Sequence, residues 1–158
     1  MSIDVGAFLQ ASVPFVNTLG ITFDHVGDAK AVARLADRPD LHNHVGGPHA
    51  GALFTLAETA SGAVLVSVFG DQLTRATALA KTSTIRYAKL AKGDVTAEAR
   101  LVGSRDEVVT ALDAGERPEF DIEVDITRAD GAVVTQMTIT WTLRPLRLRP
   151  PTPEAPHA

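Results

Sequence analysis

The sequence predicts an α+β fold in which one long buried helix is wrapped by a mostly antiparallel six-stranded sheet. The chain has 158 residues, which suits a single domain. One almost wholly apolar stretch, 48–70, is long enough for a helix that is buried on all sides. Two strand-like segments precede this stretch and four follow it. That order favours an α+β arrangement over alternating βαβ units.

The segments before the long helix predict three features. Residues 4–17 carry apolar side chains at near-helical spacing and predict a short amphipathic helix. Segments 19–26 and 29–36 predict a hairpin with its tight turn at the Gly27-Asp28 pair. Residues 37–47 are rich in Asp, Asn, His, Gly and Pro, which indicates an irregular loop.

The long apolar stretch has a competing interpretation as a membrane span. Glu58, four hydroxyl residues and Gly62 interrupt it, so it falls short of ~20 continuous apolar residues. We therefore expect a soluble protein with no membrane contact. Four strands are predicted after the helix: 76–90, 94–102, 120–126 and 133–143.

Two further segments complete the organisation. Ser104 to Glu107 match a capping box, so a short helix is expected at about 105–114 as an insertion between strands. The segment from Pro145 contains five prolines and is expected to be a mobile tail outside the sheet. The prediction is thus one domain over 1–144 and a Pro-rich tail over 145–158.

Composition excludes several classes of function. The net charge of −4 argues against a nucleic-acid binder, which needs a surplus of Lys and Arg. The absence of cysteine excludes disulfides, thiolate zinc sites and cysteine nucleophiles. The first residues lack the features of a signal peptide, so a cytoplasmic setting is expected.

Glu58 is the most informative single residue. It is the only Asp, Glu, Lys or Arg among residues 41–70. A buried carboxylate must be protonated, hydrogen-bonded or open to a cavity. Its neighbours along the helix face are small or polar: Gly51, Thr55, Ser61 and Gly62. A groove with Glu58 as a functional group is one interpretation, and a structural ion pair with Lys81 or Arg86 is the other.

The segment 42–51 ends where the long helix begins. First-turn N–H groups have no partner within a helix, so those near Ala50 and Gly51 are suited to a developing oxyanion. The three histidines His42, His44 and His49 suggest a metal, but no nearby carboxylate or thiolate completes a ligand set. We therefore expect no metal, and histidines that bond within their own loop.

Helix geometry separates the two parts of this site. Ala50 and Glu58 are ~12 Å apart along one helix, whereas an oxyanion donor and a base must both reach one reacting group within ~3 Å. One chain does not easily supply both. The sequence therefore predicts a site shared across the two-fold interface of a homodimer.

These residues resemble a known motif. Hotdog-fold acyl-CoA thioesterases of the phenylacetate-degradation (PaaI-like) type have an Asn, a His-Gly-Gly six residues later, and an acidic residue eight positions after the first of those glycines. Asn43, His49-Ala50-Gly51 and Glu58 keep this spacing. The segments 53–60 and 85–94 also resemble the family, and the likeness extends over roughly 19–143.

Three positions depart from the family pattern. Ala50 replaces the first glycine, which keeps the N–H but adds a methyl group. Glu58 stands where many members have Asp. Ala80 stands where some members have a helper Ser, so that role is vacant or passes to Thr82 or Ser83.

The resemblance implies a hotdog fold and hydrolysis of an acyl-CoA thioester without a cofactor. In that scheme the N–H of Ala50, with that of Gly51, polarises the carbonyl. Glu58 from the partner chain activates water or attacks directly. Asn43 orients the water or braces the loop, and His49 holds the helix start.

The remaining expectations concern substrate and partners. The candidate substrate-binding residues are Thr55, Gly62, Thr82, Ser83, Arg86 and Lys89, and Arg86, Lys89 and Lys92 are the candidates for the CoA phosphates. We expect a homodimer that assembles as a dimer of dimers. Two alternatives stay open: a non-catalytic acyl-CoA-binding protein, motivated by Ala50 and Ala80, and a dehydratase or hydratase that uses His44 with Glu58.

Overall fold

The computed structural model describes residues 4–146. The part of the expected tail at 147–158 lies outside the described residues. The helices are α1 (Val5–Ser12), α2 (Pro14–Leu19), α3 (Ala50–Phe69) and α4 (Arg105–Asp113). The strands are β1 (Thr22–Gly27), β2 (Lys30–Leu35), β3 (Ala76–Tyr87), β4 (Val95–Leu101), β5 (Glu119–Arg128) and β6 (Val133–Pro145).

The six strands form one sheet in the order β1-β2-β4-β5-β6-β3, and every neighbouring pair is antiparallel. Helix α3 lies across one face and contacts β1, β2, β4, β5 and β6. This arrangement confirms the predicted α+β fold with a long central helix. Strand β3 is at one edge, and β1 is at the other.

The core lies between α3 and the sheet. Alternate residues of β5, from Phe120 to Ile126, are buried, as expected for a strand with one wet face. On α3 many of the buried residues are alanines, including Ala57 and Ala60, so the helix can lie close to the strands. The rings of Phe69 and Phe120 pack with centroids 4.7 Å apart.

The segment Ala50–Gln72 is long and apolar enough to cross a membrane by length and composition alone. Most of its apolar side chains are instead buried in the core of this domain. The sheet therefore explains the apolar composition of α3 without a bilayer.

The N-terminal segment forms two helices instead of one. Val13 is extended between them, and Pro14 is the first residue of α2. Proline has no N–H to donate and clashes with the preceding turn, so it ends α1 and is well placed to begin α2.

The turn of the first hairpin is one residue later than the sequence predicted. Gly27 pairs with Lys30, so Asp28 and Ala29 are the central residues, with φ of 51° and 58°. Two central residues with positive φ are typical of a type I′ hairpin turn. The backbone twist of the strands therefore overrides the preference of Gly27 for the turn.

The C-terminal end of the sheet also differs from the prediction. Pro145 is part of β6 and lies opposite Ala76, so the expectation that Pro145 begins a tail outside the sheet was wrong. The N–H of Leu146 donates to the carbonyl of Arg75 at 2.9 Å and continues the pairing past the proline. A proline at a strand end removes only one donor, which the ladder tolerates.

The first hairpin provides a stability test. Ala29→Gly should raise the free energy of unfolding by about 1 kcal/mol, because alanine is strained at positive φ and glycine is not. Urea denaturation would measure this. Ala7→Gly in α1 is the matched control and should lower stability by about 1 kcal/mol, since Ala7 is exposed in a regular helix. A loss of stability in both variants would contradict the strained turn.

Candidate active site

The start of α3 is capped by a side chain. His49 is the N-cap residue, and its Nδ1 accepts a hydrogen bond from the N–H of Gly51 at 2.9 Å. Gly51 therefore does not offer the second free donor that the sequence suggested. Among residues 4–146, the N–H of Ala50 has no hydrogen-bond acceptor. Ala50 is also exposed, so its N–H is the single backbone donor available at this helix start.

Asn43 folds the loop that precedes the helix. Its Oδ1 accepts the N–H groups of Val45 at 3.0 Å and Gly47 at 3.3 Å. Its Nδ2 donates to the carbonyl of Pro48 at 3.4 Å. An Asn side chain that bonds the backbone two residues ahead stabilises a turn of this kind. Of the two roles expected for Asn43, this geometry favours bracing the loop.

Gly47 joins this loop to the turn after β3, a contact that the sequence did not reveal. A Cβ built on Gly47 would lie 2.1 Å from the carbonyl oxygen of Ala91. Only glycine fits such a close approach of two backbones. The contact brings the turn that carries Lys89 and Lys92 beside the start of α3.

Tyr87 is a second residue that sequence reasoning missed. Its phenol donates a hydrogen bond to the carbonyl of Ala50 at 3.1 Å. The last residue of β3 is thereby tied to the first residue of α3. No pattern in the sequence signals this contact, because the two residues are 37 positions apart.

Glu58 is half-buried and lines a cavity of about 230 Å³. Burial raises the pKa of its carboxyl group above the usual range, because the charged form is poorly solvated there. Within residues 4–146 the carboxylate has neither an ion pair nor a hydrogen bond. Lys81 pairs with Glu119, so the structural alternative of a Lys81–Glu58 pair is wrong for this protomer.

The cavity beside Glu58 is apolar on most sides. Its other lining residues include Leu9, Val13 and Val16 from the N-terminal helices and Gly62 from α3. Trp141 of β6 also lines it. Ser61 does not face this cavity as a free hydroxyl: it is buried, accepts the indole N–H of Trp141 at 3.2 Å and donates to the carbonyl of Glu58 at 2.7 Å.

A separate pocket of about 600 Å³ lies at the start of α3. His49, Gly51 and Thr55 line it, together with residues of α2 and the preceding loop. Glu58 and Gly62 are not among its lining residues. The protomer therefore divides the predicted site residues between two pockets, as the helix spacing led us to expect.

The candidate residues on β3 are divided by the faces of the sheet. Ser83 lies opposite the buried Ile139 and Ala80 opposite Trp141, so both are on the side that faces α3. Arg86 and Thr82 lie opposite Gln136 and Thr140, whose side chains alternate to the outer face. The structure does not bring Thr82 and Arg86 to the helix side where Glu58 lies, and an Arg86–Glu58 pair is absent from the described residues.

The loop histidines are used locally. His42 contacts a carboxylate oxygen of Asp37 at 2.6 Å, and His49 caps α3. His44 is exposed and does not line the cavity beside Glu58. A dehydratase pair of His44 and Glu58 has no geometric support within this protomer.

A family model described as a domain of unknown function, DUF4442, matches residues 4–143. The chain belongs to this family. The DUF4442 domain also resembles a Pseudomonas aeruginosa protein of unknown function described as a probable thioesterase, with 30% identity over 90% of this chain and 94% of that chain and a TM-score of 0.80.

Two further structures share the fold of this DUF4442 domain. A mutant thioesterase from Pseudomonas aeruginosa is 23% identical, covers 92% of this chain and 97% of its own, and has a TM-score of 0.73. The PaaI protein from the phenylacetic acid degradation operon of E. coli is 18% identical. The match covers 87% of this chain and 88% of that chain, with a TM-score of 0.69. A comparison with curated proteins gives no match.

These relatives confirm the resemblance to hotdog-fold thioesterases that the sequence motif indicated. The relative at 30% identity supports a thioesterase-type function for the DUF4442 domain.

The backbone contact of Gly47 can be tested by one methyl group. Gly47→Ala should lower the free energy of unfolding by about 1–3 kcal/mol, because the new Cβ overlaps the Ala91 carbonyl. Gly62→Ala is the matched control: its Cβ meets nothing within 4 Å, and it should raise stability by up to about 1 kcal/mol. Thermal unfolding followed by circular dichroism would measure both. Equal stability of Gly47→Ala and wild type would refute the contact.

Proposed function

We propose that this protein is an acyl-CoA thioesterase that hydrolyses an acyl-CoA to the free acid and CoA. The observation that carries the proposal is Glu58: a carboxylate without a protein partner, at an apolar cavity on the only long helix of the described domain. A buried carboxylate with a perturbed pKa in a cavity is typical of a catalytic group. The similarity to a probable thioesterase adds independent support.

In the proposed reaction, ionised Glu58 takes a proton from water as the oxygen of that water adds to the thioester carbonyl. Negative charge develops on the carbonyl oxygen, which the Ala50 N–H and the positive end of the α3 dipole stabilise. The C–S bond then breaks, and the CoA thiolate leaves and takes up a proton. Direct attack by Glu58 on the thioester carbonyl, followed by hydrolysis of the resulting anhydride, is a second route. It gives the same net reaction.

Two protein chains supply one site in this proposal. The backbone positions of Ala50 and Glu58 are ~12 Å apart along α3, so we infer that a partner helix brings the second group. The edge strand β3 supports such an assembly, because it is twelve residues long and mostly exposed. A long unpaired edge is suited to pairing with another chain. We propose a homodimer and, as in the resemblance, a dimer of dimers.

For the CoA phosphates we favour Lys89 and Lys92 over Arg86. The turn with both lysines packs against Gly47, near the helix start, whereas Arg86 lies on the outer face of the sheet.

We propose a cytoplasmic location. The chain contains no cysteine and therefore needs no oxidising compartment for disulfides, which fits this proposal.

A non-catalytic acyl-CoA-binding protein is the second candidate. Ala80 favours it, because this residue lies opposite Trp141 on the α3 side of the sheet and has no hydroxyl group to assist the reaction. Release of free thiol from an acyl-CoA panel separates the two candidates. Turnover supports the thioesterase, and saturable binding without turnover supports the binding protein.

Glu58→Gln tests the catalytic group. Loss of a general base should lower kcat by about 10²–10⁴-fold. Glu98→Gln is the matched control, because Glu98 is exposed on β4 and the change of charge is the same. Thiol release under identical conditions measures both variants. Equal rates for Glu58→Gln and wild type would remove Glu58 from the mechanism.

The same residue predicts how activity and stability depend on pH. Activity should rise with pH through the raised pKa of Glu58, because the base must be ionised. The folded protein holds this proton more tightly than the unfolded chain does. The free energy of unfolding therefore falls as the pH rises from the ordinary pKa of glutamate through the raised pKa of Glu58. Glu58→Gln should therefore unfold at a higher temperature than wild type at pH 7. The difference should vanish at a pH where Glu58 is protonated in both states.

Mixed dimers test whether the site is shared. Ala50→Pro removes the proposed oxyanion donor and suits the first helical position, and His49 already has the extended ψ of 145° that precedes proline. Each of Ala50→Pro and Glu58→Gln should be almost inactive alone. Exchange of subunits in an equal mixture should restore about a quarter of wild-type activity, because half of the dimers then have one intact site. No recovery in dimers that have exchanged subunits would place both groups in one chain.

A further inference from the structure

The cavity beside Glu58 has a wall that no catalytic role explains. Leu9 of α1, Val13 of the junction and Val16 of α2 close it from the N-terminal side. Trp141 lies in its lining, and its indole N–H is already bonded to Ser61. An apolar space with one carboxylate at its side is suited to the hydrocarbon part of a ligand whose polar end lies near Glu58.

The volume of this cavity limits what it can hold. An apolar cavity of about 150 Å³ accommodates one benzene ring. The space beside Glu58 is about 230 Å³, which is room for one ring and a few additional carbons. A long fatty acyl chain would extend beyond it.

We propose that this cavity binds the acyl group and that the α1–α2 junction restricts it to compact apolar acyl groups. By compact we mean one ring or a chain of about eight carbons or fewer. The identification of the ligand as the acyl group of an acyl-CoA rests on the proposed thioesterase function. The size limit of the cavity does not. Val13 is the specificity-determining residue at the mouth, because it is extended between the helices, lines the cavity and is 38% exposed.

Gly62 offers a way to fill the cavity without strain. It lines the cavity from α3, and a Cβ on it meets nothing within 4 Å. Gly62→Leu should therefore occupy the space itself. Gly70→Leu is the matched control: its Cβ also meets nothing within 4 Å, and Gly70 is helical and lies outside the cavity.

The experiment measures kcat/KM for acetyl-, hexanoyl-, phenylacetyl- and hexadecanoyl-CoA with the full chain. Wild type should prefer hexanoyl- or phenylacetyl-CoA over hexadecanoyl-CoA by at least about tenfold. Gly62→Leu should lower kcat/KM for the two preferred substrates by at least about tenfold more than for acetyl-CoA. Gly70→Leu should keep the wild-type order. Val13→Ala should shift the preference toward longer chains.

A readout independent of catalysis separates this inference from the proposed function. Trp141 is the only tryptophan in the chain, so its fluorescence reports on the cavity. Phenylacetamide and hexanamide are neutral probes that should change this fluorescence in wild type and in Gly70→Leu but not in Gly62→Leu. That result without any thiol release would support the cavity and overturn the thioesterase. Hexadecanoyl-CoA turnover as efficient as hexanoyl-CoA turnover would overturn the size limit and leave the thioesterase intact. Absence of both turnover and a fluorescence response would overturn both.

Discussion

The desolvation of one carboxylate is the constraint on which the proposed chemistry depends. Helix α3 is buried along most of its length, and Glu58 is its only ionisable side chain. An ionised carboxylate in an apolar cavity lacks the solvation that water gives, so its proton is held more tightly. The same loss of solvation that lowers stability makes Glu58 a stronger base than an exposed glutamate. Function and stability are thus opposed at this residue.

The helix start is specified by neutral side-chain hydrogen bonds to the backbone and by one close backbone contact, and not by ion pairs. Asn43 folds the preceding loop, Gly47 allows that loop to touch the Ala91 carbonyl, and His49 occupies the Gly51 N–H. One donor, the Ala50 N–H, is left over. A single oriented donor at the positive end of a twenty-residue helix is a sparse oxyanion site. With only one such donor, the proposed reaction depends more on the carboxylate of the partner chain and on the position of the acyl group.

The N-terminal helices give the domain a means to vary specificity without a change in the catalytic groups. They contribute side chains to the cavity beside Glu58, and α2 also lines the pocket at the start of α3. Because α1 and α2 meet at the extended Val13, small changes there alter the mouth of the cavity and leave the core between α3 and the sheet intact.

The sequence by itself indicated the fold, the family motif and most of the secondary structure, because apolar periodicity and residue spacing can be read along the chain. It also located Glu58 and the helix start. Only the tertiary structure decided that Gly51 is occupied by His49, that Thr82 and Arg86 face away from α3, and that Tyr87 reaches Ala50. The cap on Gly51 depends on the extended backbone of His49, and the other two depend on strand register and on a contact between residues distant in sequence. A shift of one residue in a strand reverses the face on which each side chain lies, and no local pattern reports it.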